Sequence, residues 1–328
     1  MNTSASKPRI LITEPILEEV RQELQQHFEI DIGRRKQYDD PNNLKEAIGS
    51  YDGLLTMLTN PVTEEVLESA GNLKIIANYA VGFDNIDVEA ARKMGIKLAT
   101  TPGVLSDATA DTTWGLILNI TRAFDYAQAE LRKGNFDGWH PNHFIGTGLK
   151  GKNLGIVGMG RIGTAVAKRA RAFGMNILYH QRNQLDRETE KSFGASYYPN
   201  IEDMATRLDV LSLHCPLNEA TYHLVDKQIL ERLPDRAFVI NTARGAVIDE
   251  DALAEALHNK NIAGAGLDVF ENEPEIHPML YTAPNCTMLP HIGSGTYQTR
   301  KAMGELAANA LKGVLLNHAS ESIDNLIV

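Results

Sequence analysis

The sequence predicts an α/β protein built from two doubly wound parallel-sheet domains. Short apolar runs alternate with segments of helical periodicity, and this alternation occurs twice along the chain. The apolar runs are nearly continuous, which is typical of strands in parallel sheets with both faces covered by helices. The 328 residues are enough for two domains of ordinary size.

The first alternation begins at Arg9 and extends over about a hundred residues, the size of one α/β domain. Its predicted strands are RILIT, FEIDI, YDGLLTML, LKIIANYA and IKLATTP. The segment from Ile16 to Phe28 carries apolar residues on one face at helical spacing, which predicts the first helix. Further helices are predicted at NNLKEAI, TEEVLESA and DVEAARKMG.

A long helix is expected from Ser106 to Gly134, because this stretch opens with Ser and Asp and closes on Gly. An aperiodic loop, GNFDGWHPNHFIGTGLKGKN, follows it. The second alternation begins at NLGIVGMG, and its later strands are MNILYH, LDVLSLH, AFVINTA, IAGAGLDV and CTMLPHI. Its helices include IGTAVAKRARAFG and DEDALAEALHN. A last helix, from Gln298 to Asn317, could return to either domain.

Composition and charge disfavour several classes of protein. Hydrophobic residues make up 43% and charged residues 23% of the chain, the balance of a folded globular protein. The net charge of −10 disfavours a nucleic-acid partner, which would require a positive field. Cys215 and Cys286 cannot form a disulfide framework and suit a reducing compartment. With neither an apolar signal segment nor a membrane span in the sequence, we expect a cytoplasmic protein.

Three glycines, Gly158, Gly160 and Gly163, lie between an apolar strand and a helix in GIVGMGRIG. At this spacing the first allows a tight turn, the second lets a pyrophosphate approach the backbone, and the third lets the helix pack against the strand. Free N–H groups and the dipole at the helix start favour phosphate there. The alternative is a glycine turn without a ligand. The order of strand, loop and helix favours a Rossmann dinucleotide-binding domain.

The segment YHQRN, residues 179–183, lacks the acid that an NAD-binding domain places near the end of its second strand. Such an acid binds the ribose 2′-hydroxyl and would repel a 2′-phosphate. Asp186 comes later, beyond the expected strand end. Arg182 could bind a phosphate through two parallel hydrogen bonds, or it could be a solvated surface charge. The missing acid favours NADP over NAD, although NAD stays possible.

Arg244, Glu273 and His291 each fall near the end of a predicted strand in the second alternation. Ligands bind beyond the carboxyl ends of parallel strands, so these positions favour a functional role over packing. Taken singly, each of the ten histidines is more often structural or exposed. His291 differs because it lies between Pro290 and Gly293, near the crossing into the other domain, where a cleft would form.

Seven segments resemble signature blocks of the D-isomer-specific 2-hydroxyacid dehydrogenases. They are GIVGMGRIG, LHCPLN, INTARGAVID, GAGLDVFENEP, LPHIGSGT, ANYAVGFDNID and VLSDATADTTWGLIL. The blocks keep the family's order and spacing from Arg9 to Ala308. Within the family, the WHP sequence at Trp139, the DATAD segment and the acid-free YHQR are most similar to glyoxylate/hydroxypyruvate reductases.

The resemblance implies a domain organisation. Residues 1–103 and 290–328 would form a flavodoxin-like substrate-binding (catalytic) domain. Residues 104–289 would form the inserted Rossmann dinucleotide-binding domain, with a cleft between the two. The long helix after Ser106 would cross from one domain to the other and carry much of a homodimer interface.

The resemblance also implies roles for the three polar residues. Arg244 would bind the substrate carboxylate and orient the carbonyl toward the nicotinamide. His291 would donate a proton to the carbonyl oxygen as hydride arrives at the carbon. Glu273 would hydrogen-bond the imidazole and keep it charged near neutral pH.

Further residues are implied for the substrate and the cofactor. Val81 and Gly82 would bind the substrate carboxylate through backbone N–H groups, and Leu58 would line the pocket. Trp139 would reach the partner subunit's substrate site, or it would anchor its own loop. Asp268 would hold the nicotinamide carboxamide, and no metal is expected. The cofactor set comprises Thr109, Gly158, Gly160, Arg161, Ile162, Gly163, Gln181, Arg182, Cys215, Pro216, Thr221, Thr242, Ala243, Asp268, His291 and Gly293. In that set Cys215 packs beside the phosphates and ribose, whereas the other reading of LHCPL is a redox or nucleophilic thiol.

The sequence therefore predicts NADPH-dependent reduction of glyoxylate and hydroxypyruvate to glycolate and D-glycerate. The same chemistry on D-lactate, 2-ketogluconate, phosphoglycerate or phosphite stays open, although the end at Val328 disfavours phosphoglycerate. Two other classes carry less weight: a nucleotide-sensing binding protein on the same fold, and a hydrolase resembling adenosylhomocysteine hydrolase.

Overall fold

A computed structural model describes residues 6–316 and 325–328. The chain divides into two compact units, with one boundary after Leu105 and the other after Ser294. Each unit contains an all-parallel sheet with helices packed on both faces, which confirms the predicted fold class. No helix within the described ranges is both long and apolar enough to cross a bilayer.

The first unit opens with the strands β1 (Arg9–Ile12), β2 (Glu29–Ile32), β3 (Gly53–Thr56), β4 (Ile75–Asn78) and β5 (Lys97–Ala99). The helices between them are α1 (Glu18–His27), α2 (Pro41–Ala47), α3 (Glu64–Glu68) and α4 (Val88–Lys93). The strands pair in the order β2-β1-β3-β4-β5, which is the flavodoxin-like order. Leu11, Leu54 and Ile76 pack against α2, α3 and α4 on one face of this sheet.

The second unit contains the helices α5 (Ser106–Arg122), α6 (Phe124–Arg132), α7 (Arg161–Ala172), α8 (Arg187–Phe193), α9 (Ile201–Ala205), α10 (Lys227–Arg232) and α11 (Glu250–His258). Its strands are β6 (Asn153–Val157), β7 (Asn176–His180), β8 (Ala195–Tyr197), β9 (Val210–Leu213), β10 (Phe238–Asn241), β11 (Gly264–Leu267) and β12 (Cys286–Met288). They pair in the order β12-β11-β10-β9-β6-β7-β8, so the order reverses between β6 and β9. In doubly wound sheets, ligands bind at the carboxyl ends of the strands where the order reverses.

Both faces of the seven-stranded sheet are buried, which explains its nearly continuous apolar strands. Trp114 of α5 and Val166 of α7 pack on one face. Leu230 of α10 and Leu253 of α11 pack on the other face. Each fully buried side chain of this size stabilises the fold by about 1.5–3 kcal/mol.

The last helix, α12 (Tyr297–Leu315), returns to the first unit and packs against α1, β3 and β4. A Cβ at Gly53 of β3 would lie 2.9 Å from the Leu315 side chain and 3.0 Å from that of Leu311, so the helix packs closely over this strand. The structure thus decides between the two positions that the sequence left open for the last helix. Its predicted end, Asn317, lies outside the described residues.

The second boundary between the units lies later than the sequence placed it. The sequence analysis assigns residues 290–328 to the first domain, whereas the stretch from Pro290 to Ser294 belongs to the second unit. The Asp268 carboxylate accepts hydrogen bonds from the N–H groups of Ile292 and Gly293, each at 2.7 Å, which fastens this stretch to the end of β11. The first boundary differs little, falling after Leu105 instead of residue 103.

The single long helix expected from Ser106 to Gly134 is wrong, because Ala123 divides it into α5 and α6. Ala123 has a left-handed backbone with φ 49°. The Asn119 side chain accepts the Asp125 N–H at 3.0 Å and donates to Asp125 Oδ2 at 2.8 Å, which caps the new helix. No glycine or proline marks this break in the sequence.

Gly245→Ala should destabilise the protein. A Cβ at Gly245, just after β10, would lie 1.8 Å from the Phe270 carbonyl carbon and 2.2 Å from the Glu271 nitrogen, so backbone must move. We expect a loss of at least about 2 kcal/mol in the free energy of unfolding, measured by urea denaturation of the full chain. Gly115→Ala in α5 is the control, since no described atom lies within 4 Å of its Cβ, and a gain of up to about 1 kcal/mol is expected. Wild-type stability of Gly245→Ala would contradict this packing.

Candidate active site

The carboxyl edge of the seven-stranded sheet collects most of the residues singled out in the sequence. Because all its strands are parallel, the loops that follow them emerge at one edge. Loops after β6, β7, β9, β10, β11 and β12 carry Gly158, Gly160, Arg161, Ile162, Gly163, Gln181, Arg182, Cys215, Pro216, Thr221, Thr242, Ala243, Arg244, Asp268, Glu273, His291 and Gly293. Thr109 lies in the first turns of α5.

The three glycines of the loop after β6 differ in what surrounds them. Gly158 has φ 92°, and a Cβ there would lie 2.7 Å from the Cys215 nitrogen in the loop after β9. Gly163 allows α7 to begin against the strand, since a Cβ there would lie 2.2 Å from the Gly158 carbonyl oxygen. Gly160, at the N-cap of α7, meets no described atom within 4 Å and carries no capping side chain. The loop therefore leaves open space over the free N–H groups of α7, and it fits a dinucleotide pyrophosphate.

The residues after β7 do not offer a carboxylate. Gln181 stands directly after the strand, and its Oε1 accepts the Met159 N–H at 2.9 Å while its Nε2 donates to the Asn183 carbonyl at 2.7 Å. The side chain is therefore tied to the glycine loop. Arg182 is exposed and makes no ion pair or side-chain hydrogen bond with the described part of the chain. This leaves a cationic group available where an NAD-binding domain has an acid.

Asp186 is not that acid either. It is the N-cap of α8, where its carboxylate accepts the Thr189 N–H at 2.9 Å and the Thr189 hydroxyl at 2.6 Å. These hydrogen bonds, from the hydroxyl first, hold the pKa of Asp186 below its usual value. The presence of an acid at position 186 is therefore explained by its role as the N-cap of α8.

His291 and Glu273 form a hydrogen-bonded pair. His291 Nδ1 lies 2.8 Å from Glu273 Oε2, and Glu273 Oε1 accepts the Phe270 N–H at 3.0 Å. Both side chains are about one-third exposed, at 32% and 33%. The other ring nitrogen, Nε2, has no hydrogen-bond partner among the described residues. The pair can therefore present Nε2 to a ligand while Glu273 orients the ring and stabilises a positive charge on it.

Asp268, directly after β11, is almost fully buried at 1% exposure. It accepts the N–H groups of Ile292 and Gly293, the two residues that follow His291. Burial raises the pKa of Asp268, and the hydrogen bonds from Ile292 and Gly293 oppose that rise. His291 itself has a left-handed backbone with φ 52°, so Asp268 holds the chain in a conformation that histidine rarely adopts. This contact has no signal in the local sequence, and the carboxamide role implied for Asp268 stays a prediction.

Arg244 lies in a turn that a buried asparagine shapes. Asn241, the last residue of β10, accepts the Ala243 N–H at 3.0 Å and donates to the Arg244 carbonyl at 2.9 Å. Arg244 Nη1 donates to the Ala243 carbonyl at 2.9 Å, and the side chain is half-buried. Next to it, the Thr242 hydroxyl lies 2.9 Å from that of Thr113 in α5. The sequence analysis missed Asn241, although an asparagine at a strand end is a known turn-forming signal.

The two cysteines are protonated thiols at neutral pH. Burial raises the pKa of Cys215 to about 11 and that of Cys286 to about 12. A thiol is a nucleophile only when it is ionised. The structure therefore favours packing over redox or nucleophilic chemistry for Cys215.

The remaining residues lie elsewhere. Leu58 follows β3 and Val81 and Gly82 follow β4, all in the first unit. Two asparagines missed by the sequence analysis hold their loops: Asn78 donates to the Gly82 carbonyl at 2.7 Å, and Asn85 donates to the Met57 carbonyl at 3.1 Å.

Trp139 lies in the loop between α6 and β6, with 83% of its surface exposed. It is not packed within its own chain, so the structure does not support the reading of Trp139 as an anchor of its own loop.

Comparison with known proteins identifies the family. The NAD-binding domain model of the D-isomer specific 2-hydroxyacid dehydrogenases matches residues 114–293. The chain belongs to this family. A glyoxylate reductase of Thermococcus litoralis is 45% identical over 309 residues, which cover 93% of each chain. The resemblance found in the sequence is thereby confirmed.

Solved structures agree with this assignment. A putative D-isomer specific 2-hydroxyacid dehydrogenase of Polaromonas superimposes with a TM-score of 0.90, at 37% identity and with 98% of this chain and 100% of that chain covered. An NADPH-dependent glyoxylate/hydroxypyruvate reductase of Sinorhizobium meliloti, in complex with NADP and malonate, gives 0.87 at 34% identity, with 98% and 97% covered. The protein is thus an oxidoreductase that interconverts 2-hydroxy acids and 2-oxo acids with a nicotinamide cofactor.

Proposed function

We propose that this protein reduces glyoxylate and hydroxypyruvate to glycolate and D-glycerate and prefers NADPH. The observation that carries the proposal is the His291–Glu273 pair, with 2.8 Å between Nδ1 and Oε2, at the same sheet edge as the glycine loop. A proton donor and a dinucleotide loop at one edge are what the reduction of a carbonyl requires. The glyoxylate reductase relatives favour these two substrates over the other acids.

His291 acts as the general acid in this mechanism. Its Nε2 donates a proton to the carbonyl oxygen of the 2-oxo acid, and the Glu273 carboxylate stabilises the imidazolium that gives it up. The bound nicotinamide supplies the hydride. In the oxidation direction the same nitrogen takes the proton back.

Arg244 binds the substrate carboxylate. Its guanidinium is planar and always charged, so it can form two parallel hydrogen bonds to a carboxylate and fix the orientation of the neighbouring carbonyl. The turn built by Asn241 restrains the Arg244 backbone, which supports this positioning role. Leu58, Val81, Gly82 and Trp139 stay predictions for further substrate contacts.

The preference for NADPH rests on the end of β7. Gln181 is neutral and already hydrogen-bonded to the glycine loop, and the exposed Arg182 can bind a 2′-phosphate. Asp186, the acid next along the chain, is engaged as a helix cap. No carboxylate stands directly after β7, where it would repel a 2′-phosphate.

Initial rates with glyoxylate, hydroxypyruvate and pyruvate, each with NADPH and with NADH, test the proposal. Fast oxidation of NADPH by glyoxylate or hydroxypyruvate, with slower turnover of NADH, is the expected result. Faster turnover of NADH would overturn the cofactor preference. The absence of turnover with all three acids would overturn the proposed reductase activity and favour a nucleotide-sensing role.

His291→Ala should lower kcat by about 10²–10⁴-fold, because it removes the proton donor. The dissociation constant for NADPH, measured by fluorescence titration, should change by less than about threefold, since the glycine loop is untouched. His27→Ala, in the last turn of α1 in the first unit, is the control and should keep wild-type kcat. Full activity of His291→Ala would mean that another group donates the proton.

Arg182→Ala should raise KM for NADPH by about tenfold or more and leave KM for NADH nearly unchanged, because only NADPH carries the 2′-phosphate. Arg207→Ala is a matched control, as Arg207 is exposed at the opposite edge of the same sheet, before β9. Equal effects of Arg182→Ala on both cofactors would mean that Arg182 is a solvated surface charge and does not bind the 2′-phosphate.

We also propose that the protein is a homodimer and that its interface includes α6 and the loop after it. None of the residues of α6 is buried. This surface exposes Phe124, Tyr126, Leu131, Phe136, Trp139 and Ile145, each by 49% or more. Exposed apolar patches of this kind mark interaction sites in soluble proteins.

Leu131→Glu should convert the dimer to monomer, because it places a charge on this apolar surface. Sedimentation velocity of the wild type and the variant measures the mass. Met94→Glu, at an exposed apolar position in the first unit, should leave the mass unchanged. A monomeric wild type would refute the proposed dimer.

A further inference from the structure

The residues from Phe270 to His277, here called the Glu273 segment, connect β11 with the short helical turn before β12. Most of its middle is exposed, so little of the segment packs against the rest of the second unit. The segment closes on itself through the Glu275 N–H, which donates to the Asn272 carbonyl at 2.9 Å. An exposed turn of this kind needs fastening at its ends if Glu273 is to keep a 2.8 Å contact with His291.

Glu250, the first residue of α11, supplies that fastening. It is only 6% exposed, unusual for an acidic residue in a first helical turn. Its Oε1 accepts the Glu271 N–H at 2.7 Å. Glu271 stands at the first end of the Glu273 segment, so this buried side chain holds that end.

Side-chain contacts reinforce both ends of the segment. His277 Nε2 lies 2.8 Å from Asp251 Oδ1, and His223 Nε2 lies 2.8 Å from Glu271 Oε1. The backbone at Gly245 approaches Phe270 and Glu271 so closely that no Cβ fits between them. The first end of the segment therefore has little room to move away from Glu250.

We propose that Glu250 is a positioning residue for the His291–Glu273 pair. By holding the Glu271 N–H, it fixes the start of the turn from which Glu273 reaches His291 Nδ1. The inference rests on the proposed role of His291 as proton donor. Glu250 touches neither His291 nor a reacting atom, and it acts through Glu273.

The surroundings of Glu250 determine how substitutions act. Burial raises the pKa of Glu250, and the hydrogen bond from the Glu271 N–H opposes that rise. The titratable groups that face it are Glu271, His277 and Cys286. Glutamine keeps one acceptor oxygen for the Glu271 N–H but carries no negative charge. Alanine keeps no acceptor at all, so the loss should grow from Glu250→Gln to Glu250→Ala.

The test compares Glu250→Ala and Glu250→Gln with the wild type. For Glu250→Ala we expect kcat with glyoxylate and NADPH to fall by about tenfold or more, and for Glu250→Gln by less. The dissociation constant for NADPH should change by less than about twofold. Glu255→Gln, an exposed residue of the same helix paired with Lys227, is the control and should match the wild type.

A double-mutant comparison separates positioning from a general loss of stability. If Glu250 acts through Glu273, Glu250→Ala should change kcat little in a Glu273→Gln background. An equal fall of kcat in both backgrounds would overturn the inference. Should Glu250→Ala fail to fold, Glu250→Gln provides the same comparison.

A readout without turnover distinguishes this inference from the proposed function. The imidazole signals of His291 in protein labelled with ¹⁵N-histidine, assigned by their loss in His291→Ala, report the hydrogen bond at Nδ1 through its ¹⁵N chemical shift. The Nδ1 chemical shift should change in Glu250→Ala, and an unchanged shift would refute the positioning role. A wild type inactive with all 2-oxo acids would refute only the proposed function, since the NMR comparison would still decide the role of Glu250.

Discussion

The loops after β6, β7 and β9 meet where the strand order reverses between β6 and β9. The rest of the second unit depends on the close packing of these three loops. Gly163 touches the Gly158 carbonyl, and Gly158 touches the backbone of Cys215, so a side chain at either glycine would push helix, strand and loop apart. The same contacts aim the free N–H groups at the start of α7 over the carboxyl edge of the sheet. They also bring the end of β7 beside the loop, where Gln181 binds Met159. The open space at the start of α7 and the position of Gln181 thus depend on one packing requirement.

Buried carboxylates hold the loops on the other half of the sheet. Asp268, 1% exposed, accepts two backbone N–H groups from a neighbouring loop, and Glu250, 6% exposed, accepts one. Hydrogen bonds to a charged group contribute about 1.5–3 kcal/mol each, which can offset the cost of burying the carboxylate only when several are made. A loop held in this way needs no hydrophobic core of its own. It can remain exposed and still keep a polar side chain in a fixed place.

The sequence predicts what is local and periodic. The parallel strands follow from their apolar runs, the glycine loop follows from its spacing, and the grouping of Arg244, Glu273 and His291 at one edge follows from parallel topology. Contacts made across the fold escape such reasoning. Glu250 looks like an ordinary acid in a first helical turn, and its burial depends on a loop more than twenty residues away along the chain. The break at Ala123 likewise arises from the Asn119–Asp125 contacts and leaves no local signal.

The conformation of His291 depends on contacts with other loops and not on its local sequence alone. A non-glycine residue with φ 52° carries a conformational cost of about 1–3 kcal/mol. Three hydrogen bonds oppose this cost, two from the following N–H groups to Asp268 and one from the ring to Glu273. The histidine therefore keeps its place only while the loops after β11 and β12 are held together. The ring orientation is a property of the assembled sheet edge, and the segment LPHIG alone would not adopt it.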